Sequence, residues 1–323
     1  VVYPTDKSIV CYDFKKDKVV WTVENVDTQV AACSKDDGLL AVSDYNKLTI
    51  INVENGEIIY ELEGADPDDI NSIFGRKLAF SPDSNLLALR VTGGYQLGTE
   101  TPVLVDTTEM AVGTTATAEA TAAEPAEIDK IIVININSGE LVSEFIPDEE
   151  RVSDVKFLDN ESVVVSAVTF AEDSFAIIGS EVICYNTSIN ENKWIYRVEG
   201  EYLRNLKQGY DDDKTICVQM QDSILTLSGA DGEVKSKAEF GENIVRYQVS
   251  NDGSVCFALL SNGNIEYAEG TTDFYYTIYE GSISNIKDGL YCGDYCIYAP
   301  INSSKLIFFE FSKGSKIEKV IKG

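Results

Sequence analysis

A short phrase recurs along this chain in altered form: NVENGEIIYELEG at 52–64, NINSGELVSEFIP at 135–147, NTSINENKWIYRVEG at 186–200 and SGADGEVKSKAEFG at 228–241. In each copy a polar turn separates two apolar runs of period two. A helical repeat would instead show an apolar period near 3.6 between its turns. The unit is therefore a hairpin, and a hairpin that returns about every forty residues points to sheets arranged side by side around an axis.

Placing the last hairpin of each unit puts turns near Asp17, Gly56, Gly139, Asn192, Gly232, Asp273 and Ser315, at intervals of 39, 83, 53, 40, 41 and 42 residues. Seven units result, two of them carrying extra material. A chain of 323 residues exceeds a typical single core unless that core is radially divided. The expected fold is all-β: one domain over 1–323, a seven-bladed β-propeller of four-stranded antiparallel blades with a flexible insertion in one blade. The first full unit shows the four strands as QVAACS (29–34), GLLAVS (38–43), LTIINV (48–53) and IIYELE (58–63). Turns between first and second strands read SKDDG (34–38), SPDSN (81–85), YDDDK (210–214) and SNDGS (250–254), and their Asp, Asn and Gly suit tight turns. Such a repeat specifies architecture and not chemistry, because function resides in sites placed on a fold.

At particular stretches the repeat resembles known families. KLAFSPDSNLLAL (77–89) is similar to the first hairpin of WD40 repeats, while CYDFKKDKVVW (11–21) and CYNTSINENKW (184–194) resemble the strand-turn-strand of quinoprotein (PQQ-like) propellers. Nine positions separate Tyr12 from Trp21 and Tyr185 from Trp194, so the only two tryptophans share one repeat position and read as packing residues. Asp13, Asn52, Asn135 and Asn186 share another, where an Asx side chain can bond the backbone and start the turn. The quinoprotein resemblance would imply a quinone over Ca²⁺ in the axial channel, held by converging Trp, Arg and carboxylates. With both tryptophans assigned to packing, no cofactor is expected.

The chain has no histidine. The Asp-His-Ser-Trp network of WD40 repeats cannot form here, nor can a Ser-His-Asp hydrolase or a His-ligated metal site. Paired carboxylates could still do glycoside chemistry or bind Ca²⁺, yet no D-x-D-x-D-G spacing occurs and the Asp211–Asp213 run sits where a turn belongs. No catalytic, metal or cofactor residue is singled out.

Of the seven cysteines, Cys217, Cys256 and Cys296 fall 39 and 40 residues apart and are read as equivalent positions, with Ala41 and Ala88 in the same place. Cys11 and Cys184 are likewise matched. Equivalent positions in stacked sheets lie about 10 Å apart, beyond disulfide reach. Cys292 and Cys296, flanking Gly293-Asp294, are the one pair that could approach; free thiols are expected throughout.

Charge bounds the partners. With 26 basic and 54 acidic residues the formal net charge is −28, which repels nucleic-acid phosphates and anionic membranes alike. A protein, or a neutral or basic ligand, bound through one propeller face remains open. No apolar run approaches the length of a membrane helix, so direct membrane insertion by this chain is not expected.

Irregularities mark candidate binding surfaces. Residues 94–129 interrupt one blade between its second and third strands; TTATAEATAAEPAE (114–127) has too few apolar residues to order itself, and PVLV (102–105) is a candidate short strand. TFAEDSFAIIGSE (169–181) lengthens the corresponding hairpin of the next unit, and the side bearing both is the candidate face. VVYPTD, SIVCYDF and VVWTVEN read as strands two to four of a first blade incomplete at its N-terminus; its innermost strand is expected upstream or downstream in a longer chain, the alternative being closure with a three-stranded blade. YYTIY (275–279) reads as a fourth strand. The expected function is a non-catalytic binding or scaffold module, a monomeric docking domain of a larger bacterial envelope or signalling protein. The alternative is a quinoprotein-like or carboxylate-dependent enzyme using the channel. The headless start and the Ala/Thr-rich arm tilt localisation toward the extracytoplasmic side.

Overall fold

The computed structural model describes residues 2–5, 7–13, 15–44, 47–64, 74–92, 95–97, 129–172, 174, 176–209, 214–250, 255–269, 275–279, 286–292, 295–300, 305–310 and 315–320; side chains are described as far as Ala268, except at 64, 74–76 and 95–97. Every regular element among them is a strand. The chain packs as two compact units, Val1–Ile146 and Pro147–Gly323.

Unit 1 holds three sheets. The first is β1 (Val2–Pro4), β2 (Ser8–Asp13) and β3 (Lys18–Glu24); the second is β4 (Val30–Cys33), β5 (Leu39–Ser43), β6 (Lys47–Asn52) and β7 (Ile58–Gly64), with the four strands within one residue of expectation at most bounds. The third contains β8 (Phe74–Phe80) and β9 (Leu86–Thr92), then, after the short β10 (Tyr95–Leu97), β11 (Asp129–Asn135) and β12 (Leu141–Phe145). β10 does not join its own sheet. It pairs antiparallel with the outer edge of β7, Tyr95 opposite Gly64 and Leu97 opposite Leu62, making the second sheet five-stranded. The insertion does fall between second and third strands, and its ends are fixed: Thr92 and Asp129 are ladder partners, Thr92 Oγ1 donates to Asp129 Oδ1 at 2.6 Å, and Arg90 pairs with the same carboxylate at 2.8 Å. PVLV (102–105) lies outside the described residues.

Unit 2 holds four four-stranded sheets: β13 (Arg151–Asp159), β14 (Ser162–Phe170), β15 (Ile177–Asn186) and β16 (Glu191–Glu199); β17 (Arg204–Gln208), β18 (Ile216–Gln219), β19 (Ser223–Leu227) and β20 (Val234–Glu239); β21 (Ile244–Val249), β22 (Val255–Leu260), β23 (Ile265–Glu269) and β24 (Tyr275–Tyr279); and β25 (Ile286–Cys292), β26 (Tyr295–Pro300), β27 (Lys305–Glu310) and β28 (Ser315–Val320). Each runs in sequence order, antiparallel throughout. YYTIY is the fourth strand it resembles in pattern.

Sheets stack through apolar faces. In unit 1, Ala41, Leu48 and Ile50 of the second sheet meet Leu78, Leu87 and Leu89 of the third. In unit 2, Val164, Val182 and Cys184 of the fourth sheet meet Leu206, Ile216 and Val218 of the fifth. Each fully buried Leu or Ile contributes about 1.5–3 kcal/mol by leaving water, so these interfaces dominate cohesion.

The turns explain the repeat. In the outer hairpins Asp13 Oδ1 accepts from the amides of Lys15 and Lys16, Asn135 Oδ1 from Asn137 and Ser138, Asn186 Oδ1 from Ser188 and Ile189, and Asn52 Oδ1 from Glu54. Four residues after each Asx the backbone turns left-handed, at Asp17, Gly56, Gly139 and Asn190, and the ladder slips by one residue. The turn of the fourth sheet therefore closes at Asn190, two residues before the expected Asn192, which lies inside β16. First hairpins use Ser with Asp: Ser34 Oγ donates to Asp36 and accepts from Leu39 N, and Ser81 does the same with Asp83 and Leu86 N. The Asp211–Asp213 run and most of SNDGS lie outside the described residues.

The cysteine reading needs one correction. Cys217 pairs with Lys207 as Ala41 pairs with Ala32 and Ala88 with Ala79, but Cys256 pairs with Val249, one step nearer its turn. A strand reverses its side chains at every residue. Cys217 and Cys256 therefore do not repeat one another; they belong to the same core between the fifth and sixth sheets, approached from opposite sides. The spacing of 39 misled because the loops between Ser250 and Val255 and between Gly209 and Thr215 differ by one residue. Cys292 and Cys296 pair with Tyr295 and Tyr291 and are not ladder partners. Cys11, Cys33, Cys184, Cys217 and Cys256 are free thiols.

Candidate functional site

The lengthened hairpin foreseen at 169–181 is part of a polar network in unit 2. β14 and β15 reach nine and ten residues, and their extension backs the crossover into the fifth sheet. Ser180 Oγ donates to Glu201 O at 2.5 Å and accepts from Leu203 N at 3.1 Å, while Ser153 Oγ donates to Leu203 O at 2.9 Å. Glu181 is wholly buried, and its carboxylate accepts from Glu149 N at 3.0 Å and Arg197 Nε at 3.1 Å; Arg197 also pairs with Asp148. A buried charge needs such partners.

On this framework two touching aromatics are flanked by two arginines. The Arg151 guanidinium lies 5.9 Å from the Phe170 ring, Phe170 meets Tyr202 edge-on at 6.0 Å, and the Arg204 guanidinium lies 5.3 Å from Tyr202. Stacking holds planar guanidinium groups without consuming their in-plane donors. One Arg204 terminal nitrogen reaches Ile244 O at 3.5 Å, and its Nε, though buried, has no hydrogen-bond partner among the described residues. Below it Gln219 Nε2 donates to Ile244 O at 2.7 Å, Asn205 Nδ2 to Gln219 Oε1 at 2.8 Å, and Tyr247 OH reaches Asn205 O and Cys217 O at 2.5 and 2.8 Å.

The first strands of three consecutive sheets thus bear Arg151 and Lys156, Arg204 and Lys207, and Arg246, all at least partly exposed. Sequence reading did not single these out. The available signal was positional: PDEER, EGEYLR and GENIVR (147–151, 199–204, 241–246) each place an arginine after an acidic crossover.

Other chemistry-bearing groups are committed to structure. Trp21 and Trp194 hold the same ladder position, opposite Cys11 and Cys184, and each indole donates at 2.9 Å to a carbonyl of the next sheet's outer hairpin, Val53 O and Gly229 O. Burial pushes the Cys184 thiol up to about 12 and the Cys256 thiol well above the ordinary range, so neither is a ready nucleophile. Asp36 is held below the usual carboxylate range by the Ser34 hydroxyl and Gly38 amide, and Asp13 chiefly by the Lys16 amide. Among the described residues no group of three or more His, Cys, Asp or Glu could hold a metal, and no helix is long and apolar enough to cross a membrane. Residues 98–128 of the larger excursion lie outside the described residues.

No family model and no curated protein matches this sequence. Solved structures do match. The C-terminal WD40 domain of Sif2 aligns at TM-score 0.62 and 10% identity over 95% of this chain and 76% of that one. The β-propeller domain of Cps50 (Swd1) from Myceliophteria thermophila aligns at 0.55 and 9% over 99% and 88%, and the computationally designed Ika8 protein at 0.64 and 11% over 97% and 81%. At these identities the likeness is one of fold: this chain has an all-β, WD40-like propeller fold, and its seven described sheets are consistent with seven blades.

Proposed function

We propose that this chain is a non-catalytic propeller module that docks a protein partner, and that the crossover end of unit 2 is the docking surface. The observation that carries the reading is the Arg151–Phe170–Tyr202–Arg204 row. Tyr and Arg with a rigid backing are the residue types that dominate binding energy in protein interfaces. Cys184, Cys217 and Cys256, the tryptophans and the turn carboxylates are occupied in packing and hairpin closure, so no observation favours the channel-enzyme reading. A single domain over 1–323 within a larger bacterial envelope or signalling protein belongs to the same proposal, motivated by the Ala/Thr-rich stretch 114–127.

The test is cross-linked capture by the full chain with two matched variants. Phe170→Glu should abolish capture of a partner that Ile58→Lys, on an outer strand, leaves intact. Equal capture by both variants overturns the surface. A bound chromophore, stoichiometric calcium, or turnover in the purified protein overturns the function.

A further inference from the structure

The whole-chain charge favours a basic or neutral partner, but the first strands of unit 2 invert it locally. Over β13, β17 and β21 five cations stand against two carboxylates, Asp154 and Asp159. Asp154 is buried and accepts from Val155 N, and Asp159 is paired with Lys214 at 3.0 Å. In a chain with 54 acidic residues to 26 basic ones, chance placement would give the opposite excess. Lys156 and Lys207 occupy the same ladder position in consecutive sheets, each two rungs before the first turn, so two of the five cations are matched in register.

The acidic crossovers sit beside this row. Asp148, Glu149 and Glu150 precede Arg151, Glu199 and Glu201 precede Arg204, and Glu242 precedes Arg246. They set a negative margin around a positive strip. A long polyanion such as nucleic acid would have to cross the margin and would meet the net charge of −28 as well. A short segment carrying one or two carboxylates needs only the guanidinium donors themselves, whose charge-assisted hydrogen bonds act at contact distance. A flanking aromatic or apolar side chain would rest on Phe170 and Tyr202.

Arg204 has the chemistry for this. Its guanidinium lies over Tyr202 and its one backbone contact is long at 3.5 Å, which leaves terminal N–H donors for a carboxylate. We propose that Arg151 and Arg204, with Lys156, Lys207 and Arg246 further along the same three strands, form a receptor for a short carboxylate-bearing segment of the protein partner. This rests on the docking reading and names the partner's chemistry.

The full chain is titrated, by fluorescence anisotropy at low salt, with a rhodamine-labelled, end-blocked Glu-Glu-Tyr-Glu peptide. The Gln-Gln-Tyr-Gln peptide and inorganic phosphate are the two comparison arms. The Glu peptide should bind at least ten-fold more tightly than the Gln peptide, and Arg204→Gln should weaken it by roughly ten-fold or more, as loss of a charge-assisted hydrogen-bonded pair implies. Arg204→Lys should recover only part. If Arg204→Gln unfolds, Lys156→Gln with Lys207→Gln replaces it and should weaken binding and flatten the salt dependence. Equal binding of the two peptides, phosphate competing as well as the Glu peptide, or indifference to these variants overturns the proposal. Should Phe170-dependent capture persist while the Glu peptide is ignored, docking stands and the carboxylate inference falls.

Discussion

Trp21 and Trp194 are the same residue at the same repeat position, one in each unit, and they are not equally buried. Both donate at 2.9 Å to the next outer hairpin, and both lay the indole against a left-handed glycine, Gly56 (φ 77°) or Gly232 (φ 76°), where an added Cβ would stand 2.7 or 2.6 Å from the ring. Yet Trp194 is 7% exposed within a core of Leu158, Cys184 and Leu206, whereas Trp21 is half-buried and follows the exposed pair Val19 and Val20. The repeat sets the contact; the neighbours set its depth. Energy should follow depth. Trp194→Ala is expected to cost roughly 3–5 kcal/mol and Trp21→Ala roughly 2, read as denaturant midpoints at constant slope. Equal losses would mean that the hydrogen bond, and not burial, decides.

The glycines sharpen the same comparison. Gly232→Ala should cost roughly 2–4 kcal/mol, combining left-handed strain with overlap on the Trp194 ring. Gly200, also left-handed (φ 70°) but with nothing within 4 Å of an added Cβ, isolates the strain, and Gly200→Ala should cost about 1 kcal/mol. Combining Gly232→Ala with Trp194→Ala should recover the overlap part. Strict additivity would refute the ring-on-glycine account.

These contacts also show what the sequence could tell. The matched tryptophans and the Asx positions were legible because hairpin chemistry is local: an Asx oxygen and a left-handed residue four positions on suffice. Inter-sheet facts were less so. Cys256 was placed one step wrong because loop length, invisible to a spacing count, decides which face a strand residue takes. β10 was missed because it pairs with β7 of a different sheet, and pattern reading assigns a strand to its own unit. The candidate site was half legible: the 169–181 excursion announced extra material, but the cations gain meaning only when the ladder puts Lys156 and Lys207 in register. Net charge does not register such a strip, because it averages over the strip and its margin.

Alkaline pH separates the half-buried from the buried groups. Cys184, raised from 9.0 to about 12, and Cys256 and Tyr247, both pushed well up by burial, keep their protons in the folded chain when the unfolded chain has released them. The stability they confer is complete below about pH 9 and is lost as pH rises toward the folded values, each group adding about 1.4 kcal/mol of loss per pH unit within its window. Cys256→Ala should therefore flatten the decline in stability between pH 9 and 11. An unchanged slope would show that these thiols ionise without unfolding.

The outer turns should give a smaller effect. Asn135→Ala removes two side-chain acceptor contacts, to Asn137 N and Ser138 N, and should cost about 1 kcal/mol, while Asn52→Ala removes only that to Glu54 N and should cost less. Thermal melting of the two variants under one buffer ranks them, and the reverse order would mean that the turn is held by its backbone bonds alone.

The smallest effect tests whether the aromatic position has a third member. Tyr60 stands opposite Ile50 as Trp21 stands opposite Cys11, and its hydroxyl reaches Gly139 O in the next outer hairpin of unit 1 at 3.4 Å. That length is at the edge of a useful hydrogen bond, and the ring itself is 9% exposed, so packing and not the hydroxyl carries the contact. Tyr60→Phe should then cost only a few tenths of a kcal/mol, at the low end for a neutral hydrogen bond. A loss near that of Trp21→Ala would show that the donor to the hairpin carbonyl is the common element of the position, and the burial argument for the two tryptophans would have to be rebuilt on it.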